Sequence, residues 1–218
     1  DLLLILPSNN LSGAPASELE GVGSAEVPAE ASAFEVPELI SDPGSFIELG
    51  KEFGKAARTG VSQLSGATVG FVSYMGELDA DSCSKAARFV RFCDAFSIPV
   101  VSFVDASEFN SLRDAVKLSN AYAEATAAKV TVITGSAYGP VYIALSGRGA
   151  NADCTLAWND AVVSPIAPAA AALFLYNEKL KGSENPTADR AKLIEEYTST
   201  EASPLSAAAQ GYIEDVIL

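Results

Sequence analysis

Two turns of the sequence place backbone amides and acidic side chains where they could act on a ligand. The stronger candidate is 135-GSAYGPVYIAL-145, which follows an apolar run. Pro140 suits the first position of a helix because its φ is already helical, and Gly139 would then be the N-cap. The N–H groups of Val141 and Tyr142 would leave the first turn without intrahelical acceptors. Such a pair of donors can hold a carboxylate or stabilise a developing oxyanion.

Spacing alone also allows a simpler interpretation, in which water satisfies these amides and the turn is only a corner.

The second candidate turn follows 100-VVSFVD-105. Asp105 could orient a backbone group or cap the next helix, and capping is the more common use of such a residue. Glu108 and Phe109 follow in the same turn, with no partner that the sequence identifies.

Two further sets of side chains are weaker candidates. Lys85, Arg88 and Arg91 recur at three-residue steps and could meet a phosphate or an acidic partner. A solvated helix face is the more common outcome for such a pattern, and we expect one here. Trp158, the only tryptophan, is expected in the core or an interface, with ligand stacking as the alternative.

Composition excludes several classes of function. The chain holds no histidine, which excludes Ser-His-Asp and Cys-His nucleophiles and the usual zinc sites. A net charge of −14 makes nucleic acid an unexpected partner. No stretch reaches the roughly 18 to 20 uninterrupted apolar residues of a membrane span. The three cysteines have no metal-ligand spacing, so we expect reduced, mostly buried thiols in a cytoplasmic protein.

The elements that must position these groups indicate an α/β protein. Residues 1–35 are rich in Pro, Gly, Ser, Ala and Glu and are expected to form a linker or arm, although residues 1–6 could belong to a buried helix or strand. Residues 36–218 are expected to form one domain. Its repeating strand, strand, helix order, in units of about 30 to 40 residues, indicates a layered fold with right-handed crossovers.

The pattern predicts the following elements in this domain. They are a short helix and an extended piece within 36–49, a hairpin of 57–64 and 67–74, a helix over 79–97, strand 100–105, a helix over 111–127, strand 129–134, a helix from 140 to about 146, strands 154–158 and 161–165, helices 168–180, 187–200 and 204–210, and a last strand or helix piece at 213–218.

Several long strings of the sequence resemble one protein family. They are 85-KAARFVRFCDAFSIPVVSFVD-105, 121-AYAEATAAKVTVITGSAYGPVYIAL-145, 152-ADCTLAW-158 and 211-GYIEDVI-217, with 3-LLILPSNN-10 and 39-LISDPGSFIEL-49 upstream. In this order they resemble the carboxyltransferase component of biotin-dependent acyl-CoA carboxylases and the related decarboxylases. The resemblance covers nearly the whole chain, and the chain resembles the C-terminal half of that component.

The resemblance implies a crotonase-like fold, a spiral of ββα units, preceded by an extended N-terminal linker arm. It implies carboxyl transfer between biotin, covalently attached to a carrier protein, and an acyl-CoA of the acetyl-, propionyl- or methylmalonyl-CoA type. The implied partners are that biotin carboxyl carrier protein, the N-terminal carboxyltransferase half and further copies in a homo-oligomer. Such chemistry needs no histidine, because biotin N1 can take the α-proton and backbone amides stabilise the negative charge.

The resemblance also implies where the site lies. Gly139, Val141 and Tyr142 become the catalytic candidates, at the start of the biotin-facing helix. Pro140 replaces a glycine of the family at this turn, so one backbone donor is absent. Ile143 stands where family members differ according to the size of the acyl group, and both residues are expected to contact the cofactor or its substrate.

At the second turn, Glu108 and Phe109 replace part of a Pro-Gly-Phe loop of the family and are expected to bind the cofactor. Because both turns are altered, a non-catalytic scaffold of the same fold remains an alternative function. A different crotonase-type CoA enzyme, such as a hydratase, is a weaker alternative, since Asp105 and Glu108 are the only acids found at the turns that could serve it.

Overall fold

In the computed structural model, residues 2–16, 26–148, 151–182 and 185–217 are described. Within these ranges, eight strands form one sheet. The strands are β1 (Ile47–Leu49), β2 (Ala57–Leu64), β3 (Ala67–Leu78), β4 (Val100–Phe109), β5 (Lys129–Tyr138), β6 (Cys154–Trp158), β7 (Val162–Ser164) and β8 (Asp215–Ile217). The helices are α1 (Leu2–Ile5), α2 (Val36–Ile40), α3 (Ala80–Ala95), α4 (Leu112–Glu124), α5 (Pro140–Ser146), α6 (Pro168–Leu175), α7 (Asn177–Lys181), α8 (Pro186–Ser199) and α9 (Pro204–Ala209).

The strands lie in the order β1-β2-β3-β4-β5-β6-β8, and β7 pairs with the far end of β5. The first three strands are antiparallel, whereas the pairs from β3 onward are parallel. The predicted hairpin is confirmed in β2 and β3. Ser65 and Gly66 both have positive φ, of 52° and 76°, which is the geometry that a two-residue turn needs to match the twist of the strands.

The sheet separates two apolar layers. On one face, alternate strand residues such as Val72, Val104 and Ile133 pack against α3, α4 and α5 to form the main core. On the other face, residues such as Phe71 and Phe103 pack against the segment around α2. Apolar side chains on both faces explain the nearly continuous β-branched runs of the parallel strands.

Helix α3 forms because its apolar residues recur on one face and because its first turn is capped. The Asp79 carboxylate accepts the Ser82 N–H at 2.8 Å. Hydrogen bonding from Ser82 to this carboxylate lowers the pKa of Asp79. Helix α4 begins after Ser111, whose side chain makes no capping hydrogen bond. The two helices therefore differ in how their starts are stabilised.

A chain of three hydroxyl groups lies inside the main core. The Tyr122 hydroxyl is 2.8 Å from that of Tyr74 and 2.7 Å from that of Ser102, so β3, β4 and α4 each contribute one member. Burial raises the pKa of Tyr122 to about 12 and raises the pKa of Tyr74 well above its usual value. All three groups therefore stay protonated hydroxyls at neutral pH.

Three predicted strand ends are wrong. Strand β3 continues beyond residue 74 to Leu78. Strand β4 continues beyond residue 105 to Phe109, because Glu108 and Phe109 pair with Glu77 and Leu78 of β3. Strand β5 continues beyond residue 134 to Tyr138, because its last residues pair with β7. The residues of the β4 and β5 extensions were expected to form turns, but they belong to the sheet.

Two predictions about helices also differ from the structure. The single helix expected over 168–180 is divided into α6 and α7 at Tyr176, whose φ of −113° and ψ of 18° interrupt the helix. Helix α1 is present, but it has no buried residue, so the expectation of a buried element at 1–6 is wrong.

Within the described ranges, no helix combines the length and the apolar character that crossing a membrane demands.

The expectation of a solvated basic face on α3 is wrong for one of its three members. Arg88 and Arg91 are exposed, whereas Lys85 is buried. The prediction of mostly buried thiols is confirmed, because Cys83 and Cys93 are buried and Cys154 is partly accessible.

Candidate functional site

The turn before α5 is held by a carboxylate from the neighbouring strand. Oδ1 of Asp105 accepts the Ser136 N–H at 2.8 Å. Gly135 lies directly against this carboxylate, so that a Cβ at position 135 would overlap it. Of the two roles expected for Asp105, orienting a backbone group is confirmed, and capping a helix is wrong because this residue lies inside β4.

Gly139 makes the sharp change from β5 to α5. Its φ of 56° and ψ of −130° are readily available only to glycine. Its N–H donates to the Ser164 carbonyl at 3.0 Å, and its own carbonyl accepts the Ile143 N–H at 3.2 Å. The prediction of a helix that begins at Pro140 with Gly139 as N-cap is thus confirmed. The N–H groups of Val141 and Tyr142 lie in the first turn, where a helix has no intrahelical acceptor to offer them.

A cavity of about 330 Å³ lies beside this turn. One wall comes from the turn and α5, a second from the end of β7, and a third from α8, α9 and the segment after α9. The lining residues are Gly139, Tyr142, Ile143, Val163, Ser164, Pro165, Tyr197, Glu201, Ala207, Gln210 and Tyr212. The lining therefore combines aromatic and apolar surface with four hydroxyl groups, an amide and one carboxylate.

The Tyr142 side chain connects the candidate site to the C-terminal segment. Its hydroxyl donates to the Tyr212 carbonyl at 2.6 Å, and the two rings meet edge to face. Arg148 reinforces this connection by binding the Gly211 carbonyl at 2.9 Å and the Glu214 carboxylate at 2.7 Å. Burial raises the pKa of Tyr142, and the nearby Glu214 carboxylate raises it further. Tyr142 therefore stays protonated and able to donate.

The structure brings together only some of the predicted site residues. Gly139, Tyr142 and Ile143 line the cavity. Val141 is fully buried in the core and is not among the residues that line the cavity. Pro140 is exposed at the start of the helix and has no N–H.

Glu108 and Phe109 do not line this cavity. Glu108 is exposed at the end of β4, and Phe109 packs against the main core. Because β4 and β5 are parallel neighbours, both residues lie at the same carboxyl edge of the sheet as Gly139. A role in cofactor binding stays a prediction for them.

Sequence reasoning missed the wall that α8 and α9 provide. Tyr197, Glu201 and Gln210 come from a stretch that the sequence pattern treated only as helices. An aromatic residue in a helix usually signals core packing, so no local signal marked Tyr197 as part of a cavity. The 3.3 Å contact between its hydroxyl and that of Ser164 shows how α8 reaches the end of β7.

The sheet, which is parallel from β3 onward, the glycine-started helix at its carboxyl edge and the cavity beside it define a class, the crotonase-like carboxyl transferase fold. Residues 5–218 match the family described as the carboxyl transferase domain, and the chain belongs to this family.

Two curated relatives and one solved structure illustrate the match. The propionyl-CoA carboxylase beta chain of Saccharopolyspora erythraea is 38% identical over 254 residues, covering 100% of this chain and 46% of the relative. The methylmalonyl-CoA decarboxylase subunit alpha of Propionigenium modestum is 33% identical over 241 residues, covering 99% of this chain and 47% of that protein. The transcarboxylase 12S crystal structure with methylmalonyl-coenzyme A bound has a TM-score of 0.87 at 32% identity, over 99% of this chain and 46% of the other. The chain thus spans about half the length of the curated relatives that it matches.

Proposed function

We propose that the chain is the C-terminal half of a biotin-dependent carboxyltransferase, which moves a carboxyl group between carrier-bound biotin and an acyl-CoA. The observation that carries this proposal is the turn of Gly139 to Tyr142, which opens into a cavity in a chain of the carboxyl transferase family. Relatives from this family include propionyl-CoA and methylmalonyl-CoA enzymes, so we propose a small acyl-CoA as the substrate.

The residues of the cavity fit the biotin ring system. A volume of about 330 Å³ lies in the range of small-ligand sites. The rings of Tyr142, Tyr197 and Tyr212 give an apolar wall for the body of the ring, while Ser164 and Gln210 provide polar groups for its ureido edge. When bound, biotin supplies the ring nitrogen that carries the carboxyl group.

The contribution of this chain is to position donors and to exclude water. The N–H groups of Val141 and Tyr142 would donate to an oxygen that gains negative charge, and one such donor typically contributes about 2.7 to 4 kcal/mol to the transition state. Gly139 sets the direction of these donors through its positive φ. Pro140 offers no N–H, so the helix start presents one donor fewer than it would with any other residue.

Further parts of the proposal concern partners. The exposed Ile143 would present an apolar surface to the acyl group at the mouth of the cavity. We propose a biotinylated carrier protein, an N-terminal carboxyltransferase half and further copies of the chain as partners. We also propose a cytoplasmic location, which the three free thiols support.

A reconstitution experiment tests the proposal. The chain is combined with the N-terminal half of a related carboxyltransferase and a carboxylated biotin carrier, and loss of the labelled carboxyl group is measured with and without acyl-CoA. We expect the loss to depend on acyl-CoA and to fall by at least about ten-fold in Gly139→Ala, because a small displacement of positioned donors is costly.

Gly44→Ala is the matched control. Gly44 has a positive φ of 72° like Gly139, but it lies in the turn before β1 and not in the cavity. The two variants therefore both place a side chain at a positive φ and differ in position. Absence of acyl-CoA-dependent activity when all proteins are folded and associated would contradict the proposal and would favour the alternative, a non-catalytic scaffold, which the missing N–H of Pro140 makes worth testing.

A further inference from the structure

Lys85 is a buried cation that the candidate carboxyl transfer site does not use. It lies in α3 and is only 7% exposed. Its Nζ donates to the Ala57 carbonyl at 2.8 Å. A lysine ammonium carries three donors, so this single carbonyl leaves two of them for another acceptor. Among the described residues, no carboxylate lies within ion-pair distance of Lys85.

Lys85 lines an open cavity of about 400 Å³ together with two more lysines, Lys51 and Lys55. Both of these side chains are exposed, and both come from the loop 50-GKEFGKA-56 between β1 and β2. Neither of them forms an ion pair with any other part of the chain that the structure describes. Three lysines thus line one cavity, and none of them forms an ion pair within the described part of the chain.

The loop that carries the two exposed lysines is fitted around Lys85. Gly50 has a φ of 68°, and a Cβ at this position would lie 3.4 Å from the Lys85 side chain. Gly54 has a φ of 56°, and a Cβ there would come within 2.8 Å of the backbone of α3. The Ala56 N–H donates to the Ser82 hydroxyl at 3.1 Å. The loop is therefore held against the start of α3, which reduces the entropy that ligand binding would cost.

The acids near this cavity leave the lysines largely uncompensated. Glu48 is bound to Arg58 at 3.0 Å, and Arg58 also binds Glu38 at 3.1 Å and the Phe34 carbonyl at 2.6 Å. Arg58 is thus satisfied within the chain, and Glu48 is committed to it. Glu52 is the remaining acid of the lining.

The overall charge makes this arrangement unusual for the chain. Acidic residues outnumber basic residues by 28 to 14, so carboxylates are available as ion-pair partners for most lysines on this surface. Burying an ammonium without a charged partner is costly. Burial lowers the pKa of Lys85, and Arg58 lowers it further, while Glu48 raises it. An anion in the cavity would offset the cost of the buried charge.

We infer that the cavity lined by Lys51, Lys55 and Lys85 binds a phosphate group, either as free phosphate or as a phosphate monoester on a larger molecule. Lysine binds phosphate as a point charge, and a dianion can satisfy several ammonium groups at once, which a single carboxylate does less well. The cavity lies apart from the one beside Gly139, since the two share no lining residue. The inference therefore does not rest on the carboxyl transfer activity.

Calorimetric titration of the whole chain, in a buffer without phosphate, tests the inference. The ligands are inorganic phosphate, coenzyme A and dephospho-coenzyme A, which lacks the 3′-phosphate. We expect saturable binding of at least one phosphate ligand. The double variant Lys51→Gln/Lys55→Gln should weaken it by about ten-fold or more, because each change removes a charge-assisted contact. Both side chains are exposed, so this variant should fold.

The matched control is Lys179→Gln/Lys181→Gln, which removes the same charge from exposed positions on α7. This control should bind as the parent chain does. Tighter binding of coenzyme A than of dephospho-coenzyme A, lost in the cavity variant, would identify the monoester as the source. Binding of inorganic phosphate alone would identify the free anion. Absence of saturable binding by all three ligands, or equal weakening in both double variants, would overturn the inference.

Discussion

At the scale of single residues, Pro140 decides how many donors the helix start can offer. Its ring favours the first turn of α5, but it removes one N–H from a turn that faces the cavity. We therefore predict that Pro140→Ala raises the carboxyl transfer activity of the reconstituted complex by about ten-fold or more, since one oxyanion donor typically changes the rate by at least that factor. Initial rates at saturating acyl-CoA measure the effect.

Pro186→Ala is the control for this prediction. Pro186 occupies the first position of α8, so both variants lose the same rigidity of the unfolded chain. Only the change at position 140 adds a donor beside the cavity. Equal activities in the two variants would show that the start of α5 does not supply the donors.

Residues also show where the sequence was sufficient and where it was not. Gly139 and Pro140 could be predicted as a helix start because their backbone preferences are local. Lys85 was predicted to be solvated because a three-residue spacing of cations resembles an exposed face, yet it is buried. Its burial depends on the loop 50–56 folding over it, which no pattern within α3 can reveal.

At the scale of secondary-structure elements, α3 and α4 offer a test of capping. The Asp79 side chain accepts the Ser82 N–H, whereas Ser111 makes no such bond at the start of α4. We predict that Asp79→Ala lowers the free energy of unfolding by about 1 kcal/mol, as the loss of a capping side chain usually does. Ser111→Ala should change it by less than about 0.5 kcal/mol. Urea denaturation measures both.

The pH dependence of the Asp79 effect has a defined sign. The pKa of Asp79 is lowered in the folded state, mainly by hydrogen bonds from Ser82, so the ionised carboxylate stabilises the fold. This contribution is fully present above the pKa of the unfolded chain, and it is lost as the pH falls through the lower folded value. The difference between the parent chain and Asp79→Ala should therefore shrink in acid, and a constant difference would contradict this assignment.

Elements also explain the wrong strand ends. The residues after Val104 and Ile133 are small or polar, so the sequence pattern reads them as turns. Pairing with β3 extends β4, and pairing with β7 extends β5. Strand β7 is distant in sequence from the end of β5, so local preferences could not predict this pairing. Pairing of β4 with β3 likewise moves Glu108 and Phe109 out of the expected turn.

At the scale of the whole molecule, a hydrogen bond joins the C-terminal segment 211–217 to the candidate site. The Tyr142 hydroxyl binds the Tyr212 carbonyl, which is 70 positions further along the chain. We predict that Tyr142→Phe speeds amide hydrogen exchange across 211–217 by roughly five-fold, because a hydrogen bond of this kind contributes about 1 kcal/mol. Exchange in the β2–β3 hairpin should not change.

Tyr176→Phe is the matched control for hydrogen exchange. The Tyr176 ring packs beneath the Lys179 amine, and its hydroxyl makes no hydrogen bond to any residue that the structure describes. This variant should leave the exchange of 211–217 as it was. If both variants protect the segment equally well, the Tyr142 hydroxyl does not hold it in place.

The hydroxyl chain of Tyr74, Tyr122 and Ser102 has a consequence for the uniqueness of the folded state. Apolar strands can slide past one another and still bury most of their surface, but a hydroxyl group left without a partner in a dry interior is costly. A shift of β4 by one residue would turn Ser102 to the opposite face of the sheet. The three hydroxyls thus favour the native strand register over compact alternatives in which strands and helices are misaligned.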